Sequence, residues 1–411
     1  MIPIFPARHE AARTAPNAAP RSGKALQLTA LPPLSLYVHF PWCVKKCPYC
    51  DFNSHEHAGG PAAIPETAYL DALCSDLESV LPQVWGRRVH SVFIGGGTPS
   101  LLSAGGLDRL LADLRARLTI EADAEITLEA NPGTFEAGKF ASYRSSGVNR
   151  LSIGIQSFDD RFLKALGRIH DGREAQHAVE IAQRHFDNFN LDLMFGLPDQ
   201  SADDAARDIA TARGFEPPHL SLYQLTLEPN TLFAKYPPSL PDEETAAAID
   251  AAVAAGVEAG GWRRYEVSAY AKPGFESRHN LNYWNFGDYL GIGAGAHGKL
   301  SFPDRIVRQT RIRHPQRYLD MAAQGRAVHE EQAVARDALP FEFMLNALRL
   351  VEGFPAARFA ERTGASLATI KTQLQRAEKR GLIECDLERI RPTSLGLRFL
   401  NDLQSEFLRA P

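Results

Sequence analysis

The amino-acid sequence predicts an α/β protein whose larger part is a partial (β/α)6 barrel of the TIM type. Three observations predict this. From Leu34 onward, short β-rich runs and amphipathic helical patterns alternate through six strand runs. Glycine and polar residues follow the strand runs, where the ligand-binding loops of parallel barrels lie. After about residue 300 the pattern changes to helices and a short strand pair, which predicts a smaller, mainly helical, winged-helix-like C-terminal domain.

Composition sets the limits on this architecture. The chain has 411 residues, of which 44% are hydrophobic, enough for one large and one smaller domain. We therefore predict a barrel domain over residues 34–300 and a C-terminal domain over residues 301–411. The formal net charge of -4 gives no general attraction to nucleic acid or to an anionic membrane. Five cysteines in a chain of this length indicate a reducing, cytoplasmic compartment rather than a disulfide framework.

Residues 1–33 have a different composition from the remainder, being rich in proline, alanine and arginine. Their apolar runs are too short for a signal peptide. A transit peptide is an alternative because of the arginines, but the prolines oppose an amphipathic helix. We expect a disordered tail, and no later run reaches the roughly eighteen apolar residues of a membrane span.

The six strand runs are, in order, LSLYVHF, HSVFIGGG, EITLEANP, RLSIGIQS, FNLDLMFGLP and HLSLYQLTLEP. Four helical runs lie between them: ETAYLDALCSDLESVL, GGLDRLLADLRARL, EAQHAVEIAQRHF and DDAARDIATARGF. Alternation of this kind indicates a parallel sheet, either open and doubly wound or curled into a barrel. Because polar chemistry recurs at the carboxyl ends of the strands, the curled barrel with one common mouth is the better interpretation.

The first strand leads into Cys43-x3-Cys47-x2-Cys50. This spacing is too short for a four-ligand zinc site, and no second Cys/His pair lies at finger-like spacing. Three thiolates can hold three corners of a cubane iron–sulfur cluster and leave one iron open to a substrate. A chance cluster and a redox Cys-x-x-Cys remain alternatives. Cys74 and Cys385 lie in apolar patterns and are expected to be inert packing thiols.

The cysteine spacing, Tyr49 before the last cysteine and GGGTP after the second strand together resemble the radical S-adenosylmethionine (SAM) enzymes. Within them the chain is most similar to the oxygen-independent coproporphyrinogen III oxidase group, which includes the HemW type of haem chaperone. The resemblance covers about residues 34–411. It implies a [4Fe–4S] cluster held by Cys43, Cys47 and Cys50, with SAM on the open iron.

The same resemblance implies SAM contacts at successive strand ends: Tyr37, Tyr49, Gly96, Gly97, Thr98, Glu129, Gln156, Arg168 and Asp192. Gly96, Gly97 and Thr98 would offer backbone groups to the methionine end, because glycine lets a ligand approach the main chain. Glu129 and Arg168 suit the ammonium and carboxylate of that moiety. Side-chain acceptors for the ribose hydroxyls would come from Gln156 and Asp192.

A second motif lies in RHNLNYWNF. His279-Asn280-x-x-Tyr283-Trp284 resembles the His-Asn-x-x-Tyr-Trp motif of the HemW chaperones. Imidazole is a common axial ligand of haem iron, and a Tyr-Trp pair offers flat apolar surface to a macrocycle. The resemblance therefore implies haem binding by His279, Tyr283 and Trp284. From the residues alone, a buried histidine beside core aromatics is the plainer interpretation, and His55 or His57 near the cysteine loop is an alternative ligand.

Position 52 separates the two functions found in this group. The porphyrinogen-oxidising members carry a fourth cysteine two residues after the third, whereas this chain has Phe52. We therefore interpret the protein as a haem chaperone rather than a porphyrinogen-oxidising enzyme, with haem, [4Fe–4S] and SAM as bound groups. The alternative is an oxygen-independent coproporphyrinogen III dehydrogenase, which decarboxylates propionate side chains by radical chemistry.

The resemblance also implies partners. Haem would pass to haem-requiring proteins, among them membrane-bound respiratory enzymes, and the cluster would need a low-potential electron donor. The protein would then be cytoplasmic and would meet the inner face of the membrane through its acceptors.

Two patterns in the sequence indicate other functions, dinucleotide binding and DNA binding, which we do not favour. GIGAGAHG contains Gly293-x-Gly295-x-x-Gly298, formally a dinucleotide fingerprint, but no helix begins inside it, and we expect a tight loop beside the SAM pocket. The winged-helix order of the C-terminal part makes DNA binding an alternative. Acidic neighbours of its basic helix weaken that alternative, so we expect no nucleic-acid partner and a domain that caps the barrel mouth.

Overall fold

The structure is a computed structural model that describes residues 26–57, 59–134 and 137–408. Most of the predicted disordered tail, residues 1–25, lies outside the described residues. Within the described ranges no helix combines the length and the apolar character needed to cross a lipid bilayer.

All six predicted strands are present. In chain order the strands are β1 Leu34–Phe40, β2 Trp42–Cys43, β3 His55–Glu56, β4 Arg88–Gly96, β5 Thr119–Ala130, β6 Arg150–Gln156, β7 Phe189–Phe195, β8 His219–Gln224, β9 Arg263–Glu266, β10 Ala269–Ala271, β11 Asp288–Ile292, β12 His297–Ser301, β13 Ile306–Arg311, β14 Val328–Ala333, β15 Phe354–Pro355, β16 Ile383–Cys385 and β17 Arg389–Pro392. Strands β1 and β4 to β8 carry the predicted runs. β1 is buried along its whole length, which explains its nearly continuous apolar sequence.

The four predicted helices are also present, as α1, α2, α5 and α6. The α-helices are α1 Glu66–Val84, α2 Ala104–Arg117, α3 Ala137–Ser146, α4 Asp160–Ala165, α5 Gly172–His185, α6 Ala202–Gly214, α7 Leu232–Lys235, α8 Glu243–Ala259, α9 Arg278–Trp284, α10 Pro315–Ala322, α11 Leu339–Ala347, α12 Ala356–Thr363, α13 Lys371–Lys379, α14 Ser394–Arg398 and α15 Leu400–Ser405. Capping boxes begin α5 at Asp171 and α6 at Ser201, so both starts follow from local sequence.

One twelve-stranded sheet forms the barrel, in the order β14-β13-β12-β11-β1-β4-β5-β6-β7-β8-β10-β9. The run from β11 through β1 and β4 to β8 is parallel, and the strands at both edges are antiparallel. Among the described residues β14 and β9 are not paired with each other. The edges of the described sheet are therefore not joined by strand pairing, and the carboxyl ends of its seven consecutive parallel strands meet at one mouth.

The C-terminal part has its own core and a small three-stranded sheet in the order β15-β17-β16. Helices α12 and α13 precede the β16–β17 pair, which is the predicted helix–helix–hairpin order. β12 and β13 pair across residue 300, so the large sheet continues past the predicted boundary to Ala333.

The chain just before β1 also joins this second core. Leu26 and Leu28 are buried there, and the Leu28 amide donates to the Pro303 carbonyl at 3.0 Å. The last residues of the predicted tail are therefore packed.

Candidate functional site

A cavity of about 1060 Å³ opens at the carboxyl ends of the parallel strands. Eleven residues predicted for the cluster and SAM line it: Cys43, Cys47, Tyr49, Cys50, Gly96, Gly97, Thr98, Glu129, Gln156, Arg168 and Asp192. They come from separate loops and strand ends, and the fold brings them together. Phe52 lines the same cavity. Tyr37, His279, Tyr283 and Trp284 are not among the lining residues and are located below.

The cysteine loop lies between β2 and β3, which pair in parallel. Lys46 braces the loop from within, because its ammonium group donates to the carbonyls of Phe52 and Ser54, both at 3.1 Å. Asn53 anchors the loop to the β11–β12 turn by donating to the Ala294 carbonyl at 2.9 Å. The ammonium group of Lys46 thus holds the backbone of the cysteine loop in place.

The donor set fits an iron–sulfur cluster better than a single ion. Cys43, Cys47 and Cys50 are free and partly exposed. Across the described ranges, no three His, Cys, Asp or Glu side chains converge closely enough to hold one metal ion. A cubane needs no such convergence, since each thiolate binds its own iron. Burial raises the pKa of the Cys43 thiol to about 11, so ligand binding would displace its proton.

The glycine-rich turn after β4 packs against β1 and β2 with no room for side chains. A Cβ on Gly97 would lie 2.4 Å from the Trp42 carbonyl oxygen. The amides of Gly96, Gly97 and Thr98 already donate, to Glu129 at 2.9 Å, to Phe40 at 2.7 Å and to Trp42 at 2.8 Å. Any backbone contact from this turn to a ligand would therefore use carbonyl oxygens.

Glu129 and Arg168 both line the cavity but form no ion pair with each other. Burial raises the pKa of Glu129 to about 7. Arg168 donates to Asn131 Oδ1 at 2.5 Å, to the Gly154 carbonyl at 2.8 Å and to the Cys47 sulfur at 3.6 Å. Arg168 therefore connects the β5 and β6 ends to the cysteine loop. Asn131, which also donates to Thr98 at 2.9 Å, lines the cavity and was not among the predicted site residues.

Gln156 ends β6, and Asp192 lies in the middle of the neighbouring strand β7, opposite Gly154. Gln156 has a φ of 69°, a left-handed conformation unusual for a non-glycine residue, at a shift in the β6–β7 register. Asp192 accepts hydrogen bonds from Ser152 at 3.1 Å and from Asn190 at 2.8 Å. Asn190 in turn contacts His219 at 2.6 Å, and His219 contacts Tyr265 at 2.9 Å. A continuous polar network thus runs from the mouth into the barrel.

Tyr37 lies inside the barrel. Its hydroxyl bonds to His39 Nδ1 at 2.9 Å, and its ring stacks on Phe93 with a centroid distance of 6.3 Å. The side chain reaches the aromatic interior rather than the cavity.

Helix α9 carries the second motif and closes the opposite end of the barrel. Its residues contact the first halves of the strands: His279 contacts Ser91 and Asn282 contacts Ser35. The five residue-to-residue steps from Ser91 to Gly96 on β4 span about 16 Å, which separates α9 from the mouth on that side. Glu125 caps the helix from β5, accepting from the amides of Arg278 and His279, both at 3.2 Å.

His279 is only 1% exposed. Its Nε2 lies 3.0 Å from the Tyr283 hydroxyl and its Nδ1 lies 3.3 Å from Ser91 Oγ. The ring stacks on Phe93 at 4.9 Å, and burial lowers its pKa to about 3. Both nitrogens therefore have partners inside the protein, and direct iron ligation requires α9 to move.

Trp284 connects this end of the barrel to the cavity. The Arg349 guanidinium lies 4.3 Å from the Trp284 ring centroid, a cation–π distance. Arg349 also pairs with Glu266 at 3.3 Å and lines the cavity. Trp284 thus supports a cavity residue without lining the cavity.

The remaining predicted features have structural roles. β12 begins at His297, inside the Gly293-x-Gly295-x-x-Gly298 pattern, so the helix of a dinucleotide fold is absent from this described segment. The loop contacts the cysteine loop: a Cβ on Gly295, where φ is 80°, would meet Asn53 at 2.3 Å. It is not among the cavity-lining residues, and neither are His55 and His57.

The sequence missed the far side of the cavity. Arg264, Arg349 and Arg398 line it, from β9, from the residues after α11 and from α14. No motif marks these arginines, because elements far apart in sequence bring them together.

The family model described as the Radical SAM superfamily matches residues 37–212, and that of the HemN C-terminal domain matches residues 334–399. The chain is 50% identical over 385 residues to the heme chaperone HemW of Escherichia coli K12, covering 93% of this chain and 100% of the relative. It is 35% identical over 382 residues to the heme chaperone HemW of Bacillus subtilis 168, covering 91% and 99%.

Among solved structures the fold resembles coproporphyrinogen III oxidase (HemN) from Escherichia coli. The TM-score is 0.78 and the sequence identity 24%, over 92% of this chain and 90% of the other. At that identity the likeness establishes the fold alone.

Proposed function

The chain belongs to the HemW haem chaperone family of the radical SAM superfamily, and from this premise we propose that it binds haem and hands it to haem-requiring enzymes. The observation that carries the proposal is the match to heme chaperones over nearly the full length of both chains. Phe52, at the position where the porphyrinogen-oxidising pattern has a cysteine, supports the chaperone over the oxidase.

The cavity residues have distinct roles in this proposal. Cys43, Cys47 and Cys50 hold a [4Fe–4S] cluster, which together with SAM supplies one-electron reduction and radical chemistry when both are bound. Arg168 holds the Cys47 side of the loop in register with β5 and β6. Glu129 offers its carboxylate to the SAM ammonium, and Asp192 offers acceptor oxygens to the ribose hydroxyls.

The His279, Tyr283 and Trp284 motif contributes to haem binding in one of two ways. As an axial ligand, His279 would have to leave Tyr283 and Ser91 first. As a support, the motif holds α9 in place and keeps Trp284 beneath Arg349. The buried, doubly partnered imidazole favours the second role.

The resemblance to the haem chaperones supports the following partners. Haem acceptors are haem-requiring respiratory enzymes, and a low-potential protein reduces the cluster. Contact with membrane-bound acceptors would bring the protein to the inner face of the membrane.

The test measures three properties of the reconstituted, reduced protein in parallel: haem binding, coproporphyrinogen III conversion and haem transfer. Haem binding is followed by the visible spectrum, and coproporphyrinogen III with SAM is followed by product analysis. Haem transfer is compared between a haem-depleted respiratory enzyme and apomyoglobin, which reports spontaneous dissociation. We expect a stable haem complex, no protoporphyrinogen, and faster transfer to the respiratory enzyme than to apomyoglobin.

Robust decarboxylation of coproporphyrinogen III without haem binding would contradict the chaperone function and favour the oxidase function. Equal transfer rates to both acceptors would show haem binding without chaperone activity. His279→Ala at saturating haem distinguishes the two roles of the motif. If His279 supports the site, the variant binds haem with lower affinity and the spectrum of bound haem is unchanged. If His279 is an axial ligand, the variant changes the spectrum.

A further inference from the structure

The cavity at the barrel mouth is larger than one nucleoside ligand requires. Its volume of about 1060 Å³ lies at the upper end of the roughly 300–1000 Å³ typical of small-molecule sites. The cysteine loop and the ends of β4 to β7 line one side. The other side is formed by β8, the β9–β10 region, α8 and the α14 helix of the C-terminal part. Space for a second, larger ligand therefore lies between the strand ends and the C-terminal part.

We define the far wall of the cavity as Leu222, Val267, Leu397, Arg264, Arg349 and Arg398. The three aliphatic side chains offer apolar contact, and Tyr223 and Leu225 adjoin them in the lining. The far wall therefore combines an apolar surface with three guanidinium groups. That combination suits a flat hydrophobic ligand that carries carboxylates.

The three arginines differ in how far their charge is compensated. Arg349 pairs with Glu266 at 3.3 Å and stacks on Trp284. Arg264 donates to the Val267 carbonyl, and neither Arg264 nor Arg398 has a carboxylate within 4 Å in the part of the chain that the structure describes. Asp250 of α8 also lines the cavity, as do Asp51, Glu129, Asp192 and Glu228. Two guanidinium groups are thus available to an anionic ligand.

We propose that the far wall binds the two propionate groups of haem through Arg264 and Arg398, with the macrocycle against Leu222, Val267 and Leu397. This inference rests on the proposed haem-binding function. The position of Trp284 beneath Arg349 then explains how a motif buried at the other end of the barrel affects the cargo: it fixes the third arginine of the wall.

The experiment measures binding of ferric haem and of its dimethyl ester, which lacks both carboxylates, to the full-length protein. The double variant Arg264→Gln/Arg398→Gln is compared with wild type and with Arg326→Gln/Arg336→Gln. The control removes the same charge from exposed arginines that do not line the cavity. Removing two charge-assisted contacts should raise the Kd for haem by about tenfold to a hundredfold, with the ester and the control unaffected.

Three outcomes would overturn the inference. If wild type binds haem and the cavity variant binds it equally well, the propionates lie elsewhere while the chaperone function stands. If the variant loses haem and ester equally, the arginines support the wall rather than bind carboxylates. If wild type binds no haem at all, the proposed function fails together with the inference.

Discussion

The environment of Glu129 determines the pH range in which its carboxyl is ionised. Its carboxyl is buried among strand ends, and burial raises its pKa to about 7, so the unliganded protein keeps this group largely protonated at pH 6. An ammonium ligand needs the ionised form, which becomes available as the pH rises through 7.

We therefore expect SAM to bind cluster-loaded protein more tightly at pH 7.5 than at pH 6.0. Glu129→Gln should weaken binding at pH 7.5 by about tenfold or more and reduce the pH dependence, because glutamine has no charge to gain. Calorimetric titration under anaerobic conditions measures both effects. Glu121→Gln, on the same strand but away from the cavity, is the control. The same pH dependence in Glu129→Gln as in wild type would assign the titration to another group.

Residues at the ends of predicted parallel strands could be assigned from sequence, because strand direction alone brings such positions to one mouth. Cys43 and Glu129 illustrate this, because Cys43 follows β1 and Glu129 is the residue before the last in β5. Asp192 lies in the middle of β7 and lines the cavity as well. Tyr37 shows the limit: it lies within β1, where a side chain faces either the cavity or the interior, and the interior stacking with Phe93 was not readable from the sequence.

At the scale of an element, α9 is a seven-residue helix that depends on a neighbour for its N-terminal hydrogen bonds. Glu125 supplies them from β5, and Arg150 lies 4.0 Å from the same carboxylate. Both charged side chains are nearly fully buried. Removal of Glu125 would leave Arg150 without this compensating charge and leave two helix amides without acceptors.

Glu125→Ala should lower the free energy of unfolding by about 3–5 kcal/mol. It should also accelerate hydrogen exchange of the α9 amides more than that of the cysteine loop. Thermal denaturation and exchange by mass spectrometry measure the two effects, with Glu121→Ala on the same strand as control. A uniform increase in exchange across the barrel would contradict a local role for this carboxylate.

The secondary-structure elements also divide into those that the sequence predicted and those that it did not. The period of the apolar pattern predicted the six strands and four of the helices between them. Helix α9 escaped prediction as the closure of the barrel because Glu125, Ser91 and Ser35, which hold it, lie about 150 to 250 positions earlier in the chain. The far wall escaped for the same physical reason, since its arginines converge only through tertiary packing.

At the scale of the molecule, the segment before β1 ties the start of the barrel to the C-terminal core. Leu26 lies against the turn at Gly364, where a Cβ would approach its side chain to 2.6 Å. Leu28 packs in the same core. The chain thus crosses from one core to the other immediately before the first strand.

Leu26→Ala and Leu28→Ala should each cost about 2–5 kcal/mol of stability, as truncations of buried leucines do. Leu31→Ala is the control, because Leu31 is 41% exposed and should cost little. Thermal denaturation followed by circular dichroism measures the three variants. Equal losses at all three positions would show that burial in the second core does not stabilise the segment.

The continuity of the large sheet past residue 300 has a consequence for any shortened form of this protein. β13 and β14 cover the edge of β12, and β12 in turn covers β11, the parallel neighbour of β1. A fragment ending at residue 300 would truncate β12 and expose unpaired backbone donors and acceptors beside the central strands. Exposed edges of this kind recruit strands from other chains, so such a fragment would self-associate, whereas one ending after Ala333 would keep the natural border of the sheet.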